Sequence, residues 1–381
     1  MDILKFTEKH EAYRTKFKAF LQKEIIPNVD NWERDHMIPK SVWRKMGAAG
    51  FLCPWISPEY GGKGGDLLYS MVINKELVQT NQAGLMVYLH SDIVVPYLDT
   101  FGSEEQKKKY LPGCATGDVL MAVAMTEPDT GSDIAGISTT AVEDGNVVVI
   151  NGSKTFISIG HNCDLVVVAA TDPAVEKPHQ ALSLYLVEDG APGFEKGNKI
   201  NKMGMHSQDT AELFFNNCRI PKSNRLGEKG QGFVMLMRKL QQERLMVSLQ
   251  AVDSAEFALN WVINYIKNLS NKETGLSKSQ AVQFALAEMA TDIKIGKTFV
   301  HKLMADHLEK LNVVQETSMA KYWTTDMLKR TVGRALDLIG DHGTHEKCPL
   351  ARTWRDAQIY SIFAGTNEIM KLIISKQMFN A

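Results

Sequence analysis

The sequence has no apolar run near the length of a membrane span and no excess of charge of one sign. A transmembrane helix needs roughly 20 predominantly apolar residues. The 43 Lys and Arg residues and the 44 Asp and Glu residues leave a net charge of -1, which gives no long-range field to attract a polyanion. The composition therefore argues against a membrane and against nucleic acid as partners.

Cysteine is scarce, and the five cysteines form no Cys-x-x-Cys pair. An odd number cannot close a complete intramolecular disulfide set, so we expect reduced packing residues and no metal site. The first residues, MDILKFTEKH, lack the apolar core of a signal peptide and the Arg- and Ser-rich composition of a transit peptide. A cytoplasmic protein is the simplest interpretation. The cysteines are Cys53, Cys114, Cys163, Cys218 and Cys348.

A Gly-x-Gly-x-x-Gly sequence after a predicted strand is also missing, so a Rossmann nucleotide site has no support. The chain instead shows a change of periodicity, with helical spacing at both ends and β-branched runs between them. The helical positions are Phe6, His10, Tyr13, Phe17, Phe20 and Leu21, and later Leu286, Met289, Ile293, Gly296, Val300 and Leu303. The strand runs are VVVI (147–150), LVVVAA (165–170) and LSLYLV (182–187). The predicted order is helices, strands, helices.

One helix boundary in the first region can be predicted at both ends. Ser103 and Gln106 form a Ser-x-x-Gln capping box, which predicts a helix start. Pro112 and Gly113 follow the KKKYL run and predict the end of the same helix, because proline removes a backbone donor. The first region is therefore expected to be all-helical.

The segment AMTEPDTGSD (124–133) closely resembles the first signature of the acyl-CoA dehydrogenases. Other segments resemble further motifs of that family in the family's order, so the resemblance covers nearly the whole chain. They are PEYGGKGG (58–65), GSEEQKKKYLP (102–112), NGSKTFIS (151–158), KMGMHSQDTAELFFNNCRIP (202–221), GEKGQGF (227–233) and RDAQIYSIFAGTNEIM (355–370). The resemblance implies an α+β fold with an N-terminal α-helical domain (1–120), a middle β-barrel or sandwich domain (121–230) and a C-terminal four-helix bundle (231–381).

The resemblance also implies an activity. A FAD-dependent acyl-CoA dehydrogenase removes a proton beside the thioester carbonyl and transfers a hydride to flavin N5, which gives an enoyl-CoA. Electron-transfer flavoprotein would then accept the electrons, and the subunits would form a homotetramer. Two rivals stay open: an acyl-CoA oxidase of the same fold, and a flavin-poor relative that acts as a binding protein. The acyl group, whether linear, branched or alicyclic, cannot be inferred from the sequence.

The same resemblance implies which residues bind the cofactor. A flavin needs hydrogen bonds to its pyrimidine edge, a cover on one ring face and donors for its pyrophosphate. By resemblance, Met125 and Thr126 line the isoalloxazine edge, Phe156 covers the ring and Ser158 bonds the flavin. The remaining cofactor positions are Gly131 and Ser132, with Ser132 also near the pantetheine, and Thr366 and Glu368.

The catalytic base is unusual in this sequence. Most of the family carries a glutamate just before the Gly-Thr of the last signature, but the residue here is Ala364, which cannot take a proton. A smaller branch, which includes the isovaleryl and long-chain enzymes, carries the base in a helical Glu-Arg-Leu, and QQERLMV (241–247) resembles it. The resemblance therefore implies Glu243 as base and Arg244, Ala364 and Gly365 as substrate-binding residues. A solvated helix glutamate is the alternative for Glu243.

Asp92 is a second candidate acid/base. By resemblance it lies on the helix that borders the acyl pocket, where a carboxylate is costly unless it is paired or functional. One alternative is that Asp92 faces away from the pocket and is solvated, or bonded to a neighbour such as His90. The other is that it serves as an acid/base on cyclohexane- or cyclohexene-carboxyl-CoA, as in alicyclic acyl-CoA dehydrogenases.

Two cofactor motifs depart from the family pattern. The Arg-x-x-Phe-Gly motif aligns with YIKNLSNKETG (265–275), where Leu269, Lys272 and Glu273 stand at its three defining positions. The later Gly-Gly loop is LIGDHG (338–343), with Asp341 at the second glycine. The resemblance therefore leaves the adenine end of the FAD site open.

Overall fold

The computed structural model describes residues 3–270 and 275–380, and these begin with a helical region. Helices α1 to α6 span Glu8–Phe20, Val29–Asp35, Lys40–Ala49, Leu67–Val78, Val95–Phe101 and Glu104–Thr116. A π-helical turn continues α1 over Leu21–Ile25, and a second one precedes α5 over Leu89–Val94. The predicted apolar face of α1 is confirmed, because Phe17 and Leu21 are buried.

Helix α6 confirms one boundary prediction and contradicts the other. Ser103 Oγ accepts from the Gln106 amide at 3.2 Å, and the Gln106 side chain accepts from the Ser103 amide at 3.0 Å, as a capping box requires. The predicted stop at Pro112 is wrong, because the helix continues to Thr116 and ends at Gly117 with φ 77°. The bond that proline removes would have ended on the Lys108 carbonyl, and Lys108 is exposed, so water can replace it.

The middle region is a β-domain whose strands form one continuous hydrogen-bonded sheet. Strands β1 to β8 span Met121–Ala124, Thr140–Asp144, Val147–Ser158, Leu165–Thr171, Leu182–Glu188, Phe194–Lys199, Thr210–Pro221 and Arg225–Leu226. Their order is β6-β7-β3-β2-β4-β5-β8, and β1 pairs with β4 in parallel. The register of β3 against β7 shifts between Lys154 and Ile157, which marks a β-bulge. The short helix α7 (Pro178–Ala181) precedes β5.

Helices return after the sheet and pack as a bundle. Helices α8 to α12 span Gly232–Ser270, Gln280–Leu308, Val314–Ile339, Pro349–Ala357 and Asn367–Asn380. Helix α8 contacts α4, α9 and α10, and α12 packs on α10. The predicted seam of α9 is confirmed, since Met289, Ile293, Gly296, Val300 and Leu303 are all buried. The order helices, strands, helices agrees with the predicted fold class.

Two global features follow from the packing. All five cysteines are buried and free, as predicted for reduced packing residues. Within residues 3–270 and 275–380, every helix is too short or too polar to cross a membrane. One apolar core runs from α4–α6 through the sheet to the bundle, and Met125 and Ala364 both pack against it. A second core packs α1–α3 against the sheet.

Candidate active site

Glu243 lies in the first third of the long helix α8 and is only 9% exposed. Its Oε2 has no hydrogen-bond partner among the described residues. A buried carboxylate oxygen without a partner is unfavourable, because it has lost water and gained nothing in exchange. The alternative of a solvated helix glutamate is therefore wrong, and the geometry is that of a side chain available to a ligand.

The surroundings of Glu243 tune its proton affinity. Burial raises the pKa of Glu243 to about 7, while the positive charges of Arg244 and Lys321 act in the opposite direction. Arg244 is also buried, and its Nε has no hydrogen-bond partner in the described part of the chain. A carboxyl group with a pKa near neutrality can both accept and release a proton under ordinary conditions.

The last signature forms a tight turn beside Arg244. Ala364 has φ 58° and Gly365 has φ 87°, so two successive residues adopt the left-handed conformation. A Cβ built on Gly365 would lie 2.7 Å from Met370 Cε and 3.8 Å from Arg244 Nη2. The structure therefore brings Glu243, Arg244, Ala364 and Gly365 to one place, although more than a hundred residues separate the two segments.

Two buried tyrosine hydroxyls lie within electrostatic range of Glu243. Tyr88 and Tyr97 are buried, and neither hydroxyl has a hydrogen-bond partner among the described residues. Burial and then other nearby charges, including Glu243, hold the pKa of both hydroxyls well above the ordinary value. Glu243, Tyr88 and Tyr97 thus each carry a buried polar atom without a hydrogen-bond partner among the described residues, and the charge of Glu243 influences both hydroxyls.

Asp92 lies in the π-helical turn before α5 and is 3% exposed. Its Oδ1 accepts from Ser70 Oγ at 2.6 Å and from Trp55 Nε1 at 3.2 Å, and its carbonyl oxygen accepts from Gln242 Nε2 at 2.6 Å. The expectation of a solvated Asp92 is therefore wrong, and the expected bond to a neighbour is made by Ser70 and Trp55 rather than by His90. Burial raises the pKa of Asp92 to about 7 despite these bonds.

The Met125–Thr126 segment is held by a buried ion pair. Lys154 Nζ donates to Glu127 Oε1 at 2.7 Å and to the Met125 carbonyl at 3.1 Å. The Thr155 amide donates to the Thr126 carbonyl at 2.9 Å. Burial opposes ionisation of Glu127, but the bonds from Lys154 and from residues 138 and 139 outweigh it and lower its pKa to about 2. Met125 and Thr126 are therefore fixed in position by an ionised pair.

Phe156 is presented outward by the bulge in β3. It has φ 56° and is 63% exposed, which is unusual for a large aromatic residue in a strand. Its neighbour Ser158 ends β3 and pairs with Thr210. An exposed aromatic ring held on a strained backbone suits the cover of a planar ligand.

The other predicted cofactor residues occupy two different settings. Gly131 and Ser132 are exposed in the loop after β1, and a Cβ on Gly131 would meet nothing within 4 Å. Thr366 Oγ1 accepts from the Ile369 amide at 3.2 Å and so caps α12. Glu368 is exposed in the first turn of that helix, where a negative charge is favourable.

A cavity of about 840 Å³ lies between α5, the start of α8 and the junction of α9 and α10. Its walls are mixed, with apolar side chains, the carboxylate of Asp99 and three cations that form no ion pair within the described ranges. The apolar residues include Trp55, Leu67, Phe233 and Met237, and the cations are Arg238, Lys239 and Lys310. Gln242, which directly precedes Glu243, also lines it. The cavity therefore suits an anionic ligand with an apolar part.

The altered adenine-end motifs lie partly outside the described residues. Lys272 and Glu273 belong to the segment that is not described, whereas Leu269 lies in the last turn of α8 and Asp341 is exposed. Nearby, Trp261 and Tyr265 stack at 5.3 Å between ring centroids, and Tyr265 stacks on His342 at 4.9 Å. Flat rings therefore stand close to the altered glycine loop.

Three family models match the chain along most of its length. They are the N-terminal domain of the acyl-CoA dehydrogenases over residues 7–118, the middle domain over 122–218 and the C-terminal domain over 230–379. The chain belongs to the acyl-CoA dehydrogenase family. Family membership makes it an oxidoreductase and implies a flavin and an acyl-CoA substrate.

Individual family members cover nearly the same length. The mitochondrial long-chain specific acyl-CoA dehydrogenase of Mus musculus is 40% identical over 98% of this chain and 87% of its own. The crystal structure of an acyl-CoA dehydrogenase from Geobacillus kaustophilus is 48% identical, with a TM-score of 0.95 over 98% of each chain. A structure described as the electron transferring flavoprotein of Acidaminococcus fermentans is 33% identical, with a TM-score of 0.94 over 99% of this chain and 100% of that chain.

Sequence reasoning missed several residues that organise the site. Lys321, Lys154 and Glu127 are fully or almost fully buried, although lysine and glutamate are seldom buried unless paired. Lys154 and Glu127 stand inside quoted family motifs, which was a usable signal. Lys321 stands in MAKYW (319–323), where nothing in the spacing separates it from a solvated helix lysine.

Proposed function

We propose that this acyl-CoA dehydrogenase uses Glu243 as its catalytic base and binds FAD and a coenzyme A thioester. One observation carries the proposal: Glu243 Oε2 is buried and unpartnered beside Arg244 and the Ala364–Gly365 turn. Ala364 offers no carboxylate, whereas Glu243 directly precedes Arg244, whose guanidinium approaches Gly365. The role of Glu243 is to take the proton from the carbon next to the thioester carbonyl.

The turn supplies the complementary interaction. The Ala364 amide can donate to the thioester oxygen, where negative charge develops as the proton leaves. Arg244 contributes a positive charge on the same side, since its Nη2 approaches Gly365. A single preorganised donor of this kind is worth about 3 kcal/mol of transition-state stabilisation. Base and donor then act on adjacent atoms of one substrate.

The residues for FAD fit a flavin on two observations of this structure. Phe156 is an exposed ring on a left-handed backbone, and the Met125–Thr126 segment is fixed by the buried Lys154–Glu127 pair. We assign the ring cover to Phe156, the edge contacts to Met125, Thr126 and Ser158, and the remaining contacts to Gly131, Ser132, Thr366 and Glu368. When bound, FAD would supply the hydride acceptor for the reaction.

The cavity beside Gln242 is the proposed site of the coenzyme A part. Coenzyme A carries phosphates on an extended and partly apolar chain, and the cavity offers unpaired cations between apolar walls. Ser132 would contact the pantetheine. The similarity to the long-chain enzyme of Mus musculus favours a long linear acyl group over a branched one. Electron-transfer flavoprotein is the proposed acceptor.

A homotetramer is the proposed assembly. Helix α9 exposes Phe284 and Ile295, at 60% and 54%, on the side away from the bundle. Large apolar side chains exposed on one helix are typical of a surface that another subunit covers. Sedimentation of the purified protein at several concentrations tests this point, and a monomer at all of them would contradict it.

An alicyclic acyl-CoA dehydrogenase is the second candidate. Asp92 favours it, because a buried carboxyl with a pKa near 7 stands next to Trp55 and Gln242, which line the cavity. Asp92 would then act as an acid or base on the ring of the substrate. Its bonds to Ser70 and Trp55 equally fit a role in fixing the cavity wall.

The test is bleaching of the flavin absorbance by palmitoyl-, isovaleryl-, cyclohexanecarboxyl- and cyclohexenecarboxyl-CoA. We expect bleaching by a linear thioester, lost in Glu243→Gln and kept in Asp92→Asn. Bleaching only by a cyclic thioester, lost in Asp92→Asn, would favour the alicyclic candidate. Rapid peroxide formation in air would identify an oxidase, and purified protein that takes up no FAD would identify a binding protein.

A further inference from the structure

Lys321 is a fully buried lysine of α10 without a carboxylate partner in the described chain. Its Nζ donates to the Gly365 carbonyl at 2.7 Å and to Asn367 Oδ1 at 3.0 Å. No carboxylate oxygen of the described residues comes within ion-pair distance of it. A buried ammonium with only neutral acceptors is costly, because burial removes its hydration and no opposite charge replaces it. Such a residue needs a reason beyond packing.

Its contacts converge on the catalytic turn. Asn367 accepts from Lys321 and donates through Nδ2 to Asp326 Oδ1 at 3.0 Å, so α10 holds the C-terminal side of the turn. Ala364 and Gly365 have φ of 58° and 87°. A non-glycine residue in that conformation costs about 1 kcal/mol or more, so the turn depends on external bonds. Lys321 supplies the bond at its centre.

Four charged or titratable groups lie within electrostatic range of the base. Glu243 is flanked by Arg244 on its own helix and by Lys321 on α10, while Tyr88 and Tyr97 approach from the region of α5. The two cations favour ionised Glu243, and burial disfavours it. Without these cations the carboxylate would be harder to ionise, and proton abstraction would begin from the wrong protonation state.

We propose that Lys321 is a positioning residue for the reaction, which holds the Ala364–Gly365 turn and offsets the negative charge of Glu243. This proposal rests on the assignment of Glu243 as the base. The first effect is geometric, because the bond to the Gly365 carbonyl fixes where the Ala364 amide points. The second effect is electrostatic, because the ammonium faces the charge that passes from Glu243 to the thioester oxygen during the reaction.

The charges that face Lys321 are mixed. The positive charges of Arg244 and of Lys329, which follows Lys321 on α10, oppose the protonation of Lys321. The carboxylates of Asp326 and Glu368 favour it. Burial is the largest influence and lowers the pKa of Lys321 to about 7. The pKa values of Glu243 and Lys321 therefore both lie near neutrality. At pH values below 7 Lys321 is charged. Replacing Lys321 by a neutral residue should therefore change the acid limb, which is the fall of kcat as the pH is lowered.

Two substitutions separate the two effects. Lys321→Gln keeps a donor for the Gly365 carbonyl but removes the charge, and Lys321→Met removes both. We expect the acid limb of kcat to move up by about one pH unit in both variants. We expect the plateau of kcat to fall about tenfold to a hundredfold in Lys321→Met and only a few-fold in Lys321→Gln.

The matched control is Lys329→Met. Lys329 lies on the same helix, and its Nζ contacts Ser361 Oγ at 3.2 Å and Asp326 Oδ1 at 3.3 Å. Among the described residues it bonds to neither Gly365 nor Asn367, so both the acid limb and the plateau should stay close to their wild-type values. Flavin content and Tm are recorded for every variant, because a lysine with a merely structural role would lower Tm without moving the limb.

A binding measurement tests the turn without turnover. In the Glu243→Gln holoenzyme, calorimetry gives the Kd of a long-chain acyl-CoA thioester and of the S-alkyl-CoA thioether, which lacks the carbonyl oxygen. Adding Lys321→Met should weaken the thioester tenfold or so relative to the thioether, because the Ala364 amide loses its orientation. Adding Lys321→Gln should leave the ratio of the two constants close to unchanged.

The possible outcomes distinguish a failure of the proposed role of Lys321 from a failure of Glu243 as the base. Turnover by Glu243→Gln at the wild-type rate would overturn Glu243 as base and the inference with it. Loss of turnover in Glu243→Gln, together with an unmoved acid limb in both Lys321 variants, would overturn the role of Lys321 alone. If Lys321→Met does not accumulate as folded protein, the acid limb of Lys321→Gln decides the electrostatic effect.

Discussion

The rate of turnover should depend on pH through the ionisation of Glu243. A base must be unprotonated to act, and burial has raised the pKa of Glu243 from 4.5 to about 7. The rate should therefore be constant on the alkaline side of about pH 8 and fall as pH is lowered through 7. About a tenth of the enzyme is active one pH unit below the pKa, so each further unit costs about tenfold in kcat.

The assay is the initial rate with a saturating linear acyl-CoA and an artificial electron acceptor, measured across the neutral range of pH. A limb near pH 7 does not by itself identify the group, because burial raises the pKa of Asp92 to the same value. Asp92→Asn is therefore the necessary control. It should keep the limb, while Glu243→Gln should lose about a thousandfold or more in kcat, as expected when a general base is removed.

Three results would refute this reasoning. A limb near pH 4.5 would mean that Glu243 is hydrated in the working enzyme. Disappearance of the limb in Asp92→Asn would assign it to the second carboxyl. Full activity of Glu243→Gln, with normal flavin content, would leave the reaction without the proposed base.

Three further predictions concern stability. Lys154→Met should lower the free energy of unfolding by about 3 kcal/mol in urea titrations, because it leaves the buried charge of Glu127 without its cation. Asp356→Asn should raise Tm on the alkaline side of pH 7 and have little effect near pH 4, with a gain of up to about 4 kcal/mol. The sign follows because burial raises the pKa of Asp356 from 3.8 to about 7, so ionisation destabilises the folded state as pH rises through that interval. Gly365→Ala should cost about 1 kcal/mol and lower kcat, because φ is 87° at that position.

Each of these has its own contrary outcome and control. Lys23→Met removes a cation that is 82% exposed and should change stability by less than about 1 kcal/mol; an equal loss in both variants would show that the Lys154–Glu127 pair is not special. A gain for Asp356→Asn that is independent of pH would exclude the titration of Asp356 as its cause. Gly333→Ala in the interior of α10 should be neutral or stabilising, and a loss there equal to that of Gly365→Ala would remove the argument from the turn.

The sequence was sufficient for the order of the domains and for the candidate base. The period of α9 and the β-branched runs are local signals, and they predicted a buried seam and three strands that the structure contains. The choice of Glu243 as candidate base also needed no structure. The family carries its base in one of two motifs, and here the last signature has Ala364 while QQERLMV has Glu243. Local sequence patterns and family motifs were therefore sufficient to predict the order of the domains and the candidate base.

The rest depends on contacts between distant segments. The burial of Lys321 arises only when α10 packs against the turn and α12, and no spacing within α10 signals it. The Lys154–Glu127 pair forms because the start of the bulge in β3 meets the loop after β1. Asp92 was difficult for another reason, since a π-helical turn adds a residue per turn and shifts the face that ordinary helical spacing predicts.

Helix α8 connects the candidate base Glu243 to the stacked rings of Trp261 and Tyr265. It carries Glu243 near one end and Trp261 further along, and it runs unbroken over 39 residues. At 1.5 Å per residue, these two side chains are separated by about 27 Å along one rod. Because a helix resists stretching, the stacked rings of Trp261 and Tyr265 stay at a fixed distance from Glu243. The length of α8 therefore sets the distance between Glu243 and Trp261. Each residue inserted between them would rotate one side chain relative to the other by about 100° and separate them by about a further 1.5 Å.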